Sequence, residues 1–108
     1  DRGSDYPSAL KNCVETVTKL AKEKGKIVTV SESGGPIATN TTWWTMVLET
    51  IRPYEFSYFL VWRNPWQLAG HGAFAPYKGS PDSKDFIKFY DDKKTLFQKE
   101  VSKEKLYK

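Results

Sequence analysis

Ile27-Val28-Thr29-Val30 is an unbroken run of β-branched side chains. Such residues are stiff at χ1 and favour extended backbone. With no polar alternation, the run suits a strand covered on both faces, as in a parallel sheet. A strand is expected over 26 to 31, and Glu32-Ser33-Gly34-Gly35-Pro36 breaks it.

The neighbouring segments change period. Residues 4 to 25 read as a helix: Ser4 or Asp5 caps it, Pro7 suits its first turn, and Gly25 stops it. Leu10, Val14, Val17, Leu20 and Ala21 recur at helical spacing, and Cys13 among them reads as a small buried hydrophobe. Lys19, Lys22 and Lys24 suit the negative end of the helix dipole. A second helix is expected over 41 to 52, capped by Asn40 or Thr41 and ended by Pro53, with Trp44, Val47, Leu48 and Ile51 as its apolar stripe. Trp43 is offset from that stripe and reads as a packing residue. A second strand is expected over 55 to 62, followed by a long loop from Arg63 to Gly79. A last helix starts near Ser80-Pro81-Asp82 and carries Phe86, Phe89, Tyr90, Leu96, Phe97 and Val101. The tail from Lys103 is expected to fray.

Helix, strand, helix, strand, helix is the alternation of an α/β fold with a parallel sheet. Two parallel strands alone leave open edges and uncovered faces. The 108 residues are therefore expected to be part of a larger fold. They suit the C-terminal portion of a (β/α)8 TIM barrel, about its last two strands and their helices, with the remaining strands outside this chain.

Several function classes are excluded. The net charge is +4, but the lysines spread along two helix-like segments among acidic neighbours, so no basic run suggests nucleic acid. One cysteine and one histidine rule out a disulfide framework and an ordinary zinc site. No stretch approaches the roughly 20 apolar residues of a membrane span, and no signal peptide pattern is present. Aromatics make up 15% of the chain and cluster between Trp43 and Phe97. Flat rings of that kind fill cores, and they also stack on the C–H faces of sugars.

In a barrel the chemistry lies at the C-terminal ends of the strands. The first strand ends at Glu32 and the second at Trp62-Arg63, so adjacent strands would turn all three toward one mouth. A carboxylate after a β-branched run is costly to bury unless paired or used. Glu32 is either bonded to nearby backbone or an arginine, or it is a nucleophile able to attack a sugar C1 and hold a glycosyl ester. The second route needs another carboxyl group about 5–5.5 Å away. Trp62 suits either a sugar platform or a core ring. Arg63 offers a planar fork to hydroxyls or to a carboxylate. Trp66, His71 and Tyr77 fall in the following loop, where binding residues concentrate. Gly34 and Gly35 allow close backbone approach or positive φ.

Val28-Thr29-Val30-Ser31-Glu32-Ser33-Gly34 resembles the seventh-strand motif of glycoside hydrolase family 26, most of whose members are endo-β-1,4-mannanases. Tyr58-Phe59-Leu60-Val61-Trp62-Arg63-Asn64 is similar to that family's eighth strand. His71-Gly72-Ala73-Phe74-Ala75-Pro76-Tyr77-Lys78-Gly79 and the helix around Phe86 and Phe89 look like its C-terminal region. The resemblance implies that residues 1–108 are the C-terminal part of one retaining glycoside hydrolase domain acting on β-mannan. Glu32 matches the nucleophile, Trp62 the tryptophan lining the cleavage subsite, and Arg63 a position contacting the next sugar. Trp66 and His71 are further candidates for substrate binding. The family's acid/base glutamate and the tyrosine contacting the nucleophile have no counterpart in this chain; Tyr6 lies too far along the first helix for the latter role. No metal or cofactor is implied. Expected partners are a β-mannan polysaccharide or oligosaccharide and the N-terminal remainder of the barrel. Such a polymer cannot enter cells, so a secreted, periplasmic or cell-surface location is expected. The same chemistry on a β-glucan or xylan, and a non-catalytic carbohydrate-binding fragment, are the alternatives.

Overall fold

The computed structural model describes residues 5–35, 40–64 and 74–104. Helix α1 spans Tyr6–Lys24, with Pro7 in its first turn. Gly25 ends it in the left-handed region at φ 61°, where glycine pays no Cβ penalty. The Lys26 N–H then returns to the Ala21 carbonyl at 2.8 Å, satisfying a helix-end acceptor. Leu10, Val14 and Ala21 form its buried stripe. Cys13 is exposed, contrary to expectation. It neighbours Val14, and the roughly 100° turn per residue carries it off the packed face. Val17 and Leu20 are also exposed, at 44% and 53%. With Cys13 they form a second stripe at helical spacing, as on a helix with a neighbour on each side.

Strand β1 spans Val30–Ser33, helix α2 spans Trp43–Ile51 and strand β2 spans Phe59–Val61. β1 and β2 pair in parallel, with α2 between them in sequence. Regular pairing starts later than the β-branched run suggested, and Ile27 is 83% exposed. The earlier residues still contribute: the Ser57 N–H bonds to the Val28 carbonyl at 2.7 Å. A strand is defined by its partner's reach, and the partner here is short.

The core lies on one face of this sheet. Leu10 and Val14 of α1 meet Trp43, Trp44, Val47, Leu48 and Ile51 of α2, and Val30, Phe59 and Val61 of the strands pack against that layer. Trp43 is 1% exposed, so its expected packing role holds. Leu60 and Trp62, which alternate with these strand residues, are 40% and 52% exposed.

The last helical segment is divided. Helix α3 spans Ser83–Tyr90 and α4 spans Gln98–Lys103, where one continuous stripe was expected. The Lys94 N–H bonds to Asp92 Oδ1 at 2.8 Å, and the Thr95 hydroxyl lies 2.7 Å from the Phe89 carbonyl and 2.9 Å from that of Asp92. These local bonds compete with the helical ladder and end α3. The chain then reverses, so Phe97 packs back on Phe86, Phe89 and Tyr90, with ring centroids 4.6–6.3 Å apart.

Two buried aspartates of the α3 start hold α2. Asp82 Oδ2 accepts the Trp44 indole N–H at 2.6 Å. Asp85 accepts the Thr45 backbone N–H at 2.9 Å and the Thr45 hydroxyl. Thr42 makes no side-chain cap of its own, so Asp85 supplies from another helix the acceptor that α2 needs. Replacing Asp85 with alanine is expected to destabilise the assembled barrel by about 1–3 kcal/mol, since it leaves a helix-end donor orphaned. A denaturant midpoint would measure it, and an unchanged midpoint would exclude the role.

Candidate active site

Side chains alternate across a strand, so the strand's register decides which of them reach the open face. Val30 pairs with Phe59 and Ser33 with Val61, so three steps along β1 oppose two along β2. The extra residue is a register irregularity of the β-bulge kind, a feature that bends a strand and re-aims its side chains. In a regular strand Glu32 would share a face with Val30, on the helix side. In the bulged strand Ser33 takes that side: its hydroxyl hydrogen-bonds the Tyr6 phenol of α1. Ser31 and Glu32 are both exposed. Glu32, next to Ser33, thus turns away from the helix layer.

Among the described residues, Glu32 makes no ion pair and no side-chain hydrogen bond. Of the two roles open to it, the described surroundings supply no arginine or backbone partner. Tyr6, by contrast, is half-buried, and burial pushes its phenol above the ordinary tyrosine value, with the Ser33 hydrogen bond acting in the opposite direction. It therefore stays protonated at neutral pH.

Trp62 follows β2, and its backbone N–H bonds to the Ser33 carbonyl at 2.9 Å. This bond ties the ends of both strands together, beside Glu32. The Arg63 guanidinium carbon lies 5.6 Å from the Trp62 ring centroid, within cation–π range. The cation occupies ring surface that would otherwise be bare, and it brings five N–H donors next to the indole.

Both glycines after Glu32 serve close approach, and neither has positive φ. A Cβ on Gly34 would lie 2.9 Å from the Phe74 ring and 3.1 Å from the Trp62 carbonyl. One on Gly35 would lie 2.1 Å from the Trp43 indole nitrogen. Asn64 holds Phe74 in place: its Oδ1 accepts the N–H groups of Phe74 and Ala75 at 2.9 and 2.8 Å, and its Nδ2 donates to the Ala75 carbonyl at 2.8 Å. Sequence reasoning did not single out Asn64 or Ser33 as supporting residues. Their signal was adjacency to the strand-end residues, which does not reveal a hydrogen-bond partner. Trp66 and His71 lie outside the described residues. Tyr77 is 45% exposed. Among the described residues, no group of three or more His, Cys, Asp and Glu side chains is placed to hold a metal ion, and no helix is long and apolar enough to cross a membrane.

A parallel strand pair with helices on one face, an exposed opposite face, and polar and aromatic groups at the strand C-termini fit a portion of a (β/α)8 barrel. Solved structures show which barrel the chain resembles. Over 87% of its length the chain superposes on a GH26 β-mannanase from Bacteroides ovatus, with 35% identity and a TM-score of 0.81. Over 94% it superposes on the catalytic domain of a GH26 endo-β-1,4-mannanase from Bacillus sp. JAMB-750, with 29% identity and a TM-score of 0.76. It spans 27% and 30% of those chains. The chain thus resembles a portion of the glycoside hydrolase family 26 barrel, consistent with its C-terminal part. No protein-family model matches the chain, and no curated protein matches it.

Proposed function

We propose that this chain is the C-terminal part of one catalytic domain that hydrolyses β-1,4-mannosidic linkages with retention, and that it supplies the nucleophile. The observation carrying this reading is the bulge that leaves Glu32 exposed at the strand end, beside Trp62 and Arg63. The likeness to two mannanases supports the choice of mannan over glucan or xylan.

In this reading a Glu32 carboxylate oxygen attacks the anomeric carbon from the face opposite the leaving group. The C1–O bond breaks as an acid/base carboxyl from the remaining barrel protonates the departing oxygen. The same residue then takes a proton from water, and the resulting hydroxide attacks C1 and frees Glu32. Trp62 floors the sugar at the cleavage point, and Arg63 donates to hydroxyls of the next sugar. Trp66 and His71 extend the substrate contacts. A polymer substrate of this kind implies a location outside the cytoplasm: secreted, periplasmic or at the cell surface. The chain by itself should not turn over mannan, because the acid/base is supplied by the remainder of the barrel.

The test is to incubate the assembled barrel with an activated 2-deoxy-2-fluoro-β-mannoside and map the product peptides by mass spectrometry. One glycosyl adduct on Glu32 is expected. Mannan turnover accompanied by an adduct elsewhere would exclude Glu32. Faster turnover of a β-glucan or xylan than of mannan would move the substrate, and sugar binding without any turnover would indicate a binding fragment.

A further inference from the structure

Ser33 is a small polar residue on an apolar face. Val30, Phe59 and Val61 on that side pack against the core. A hydroxyl in such a layer is costly unless it is bonded, and this one is bonded to Tyr6. Three further contacts hold the same stretch of backbone. The Ser33 carbonyl accepts the Trp62 N–H at 2.9 Å, Ser33 sits opposite Val61, and the Trp43 indole packs against Gly35. Trp43 also lies 5.9 Å from the Tyr6 ring, centroid to centroid.

These contacts bear on a choice between two registers. In a side-chain period of two, a slip of one residue sends every side chain to the other face. Without the bulge, Glu32 would turn toward the helix layer, where Val30 points, and Ser33 would turn away from it. The Tyr6–Ser33 hydrogen bond is compatible only with the bulged register, in which Glu32 faces the open side. We infer that Ser33 and Tyr6 are positioning residues: their hydrogen bond selects the bulged register and thereby aims the Glu32 carboxylate. Neither touches substrate. The inference rests on the reading of Glu32 as the nucleophile.

The assembled barrel should be made with Ser33→Ala, Ser33→Thr, Tyr6→Phe, the double change Tyr6→Phe with Ser33→Ala, and Glu32→Gln. Ser33→Ala and Tyr6→Phe are each expected to lower kcat on β-mannan about tenfold, because small misplacements of reacting groups are costly in rate. KM should stay within about twofold of the wild type, since the groups that bind sugar are untouched. Labelling of Glu32 by the fluorinated mannoside should slow by the same factor. Ser33→Thr keeps the hydroxyl and should retain most of the rate. The double variant should be no slower than the slower single, as both changes break one bond. Tyr6→Phe preserves the ring against Trp43, so its rate decides the matter if Ser33→Ala does not fold.

Wild-type kcat in folded Ser33→Ala and Tyr6→Phe would overturn the inference, and so would Ser33→Thr as slow as Ser33→Ala, or single effects that multiply. Glu32→Gln separates the two failures. If it keeps wild-type turnover, the nucleophile reading falls and this inference with it. If it is inactive while Ser33→Ala and Tyr6→Phe run at full rate, only the inference falls.

Discussion

Glu32→Gln in the assembled barrel is expected to lower kcat on β-mannan by about 10³-fold or more, in the range seen when a catalytic nucleophile is removed. The amide matches the carboxylate in size but lacks its nucleophilic charge, so no glycosyl ester forms. The stability cost should be small. Glu32 is exposed and makes no ion pair among the described residues, and substitutions at such sites usually change stability by less than about 0.5 kcal/mol. On the reading of Glu32 as the nucleophile, the expected result is therefore lost turnover with little change in melting temperature. Glu32→Ala adds a positive readout: azide can enter the vacated space and attack C1 from the nucleophile's side, giving a glycosyl azide of inverted configuration. A loss of less than about tenfold in kcat, with no azide product, would remove Glu32 from the nucleophile's role.

Gly35→Ala is expected to have the largest effect on stability. The new methyl would lie 2.1, 2.4 and 2.7 Å from three atoms of the Trp43 indole. Those distances cannot stand, so either the indole or the backbone must move. The indole is confined: it is 1% exposed, meets Trp44 edge-on at 4.8 Å between centroids, and lies 6.4 Å from Phe59. Overpacking a core of this kind costs about 1–3 kcal/mol and sometimes more, and the rigidity of an aromatic cluster puts this site at the upper end. Backbone movement at Gly35 would also disturb Glu32, three residues earlier, so activity should fall together with stability. A denaturant midpoint on the assembled barrel measures the first effect. Trp43→Leu placed in the Gly35→Ala background should recover part of the loss, because it clears the space the methyl needs. A midpoint unchanged by Gly35→Ala would show that the close approach is not required.

The α/β class could be read before any coordinates, because the β-branched run from Ile27 to Val30 and the helical stripes on either side are local patterns. That the chain is part of something larger also followed from the sequence, since two parallel strands cannot cover their own faces. The open-side exposure of Leu60 and Trp62 agrees with that reading. Glu32 drew attention as a carboxylate after apolar residues and before two glycines. The direction it points was not legible. It depends on whether three residues of β1 oppose two or three of β2, and pairing of that kind is a property of both strands together.

Other features escaped for the same reason. Phe86, Phe89, Tyr90 and Phe97 did belong to one apolar cluster, but spacing alone could not distinguish a continuous helix from a helix and a return. The turn from Asp91 to Leu96 depends on short side-chain bonds outweighing the helical ladder. Cys13 looked buried because it sits among apolar positions, yet only one stripe of α1 meets α2. Asp82 read as part of a helix start and Asp85 drew no attention, because their partners Trp44 and Thr45 lie about 40 residues away along the chain. Gly35 carried a signal for close approach without naming Trp43 as what approaches.

Composition and periodicity were enough to set the element types, their order as far as α3, the parallel sheet and a carboxylate at a strand end, because these arise from interactions within a turn or two of the chain. Tertiary structure decided the bulge, the face on which Glu32 lies, the tie from α1 to Ser33 and the capping of α2 by Asp85. Each of these depends on a contact between residues far apart in sequence, and the energy of such a contact is settled only once packing has brought the two surfaces together.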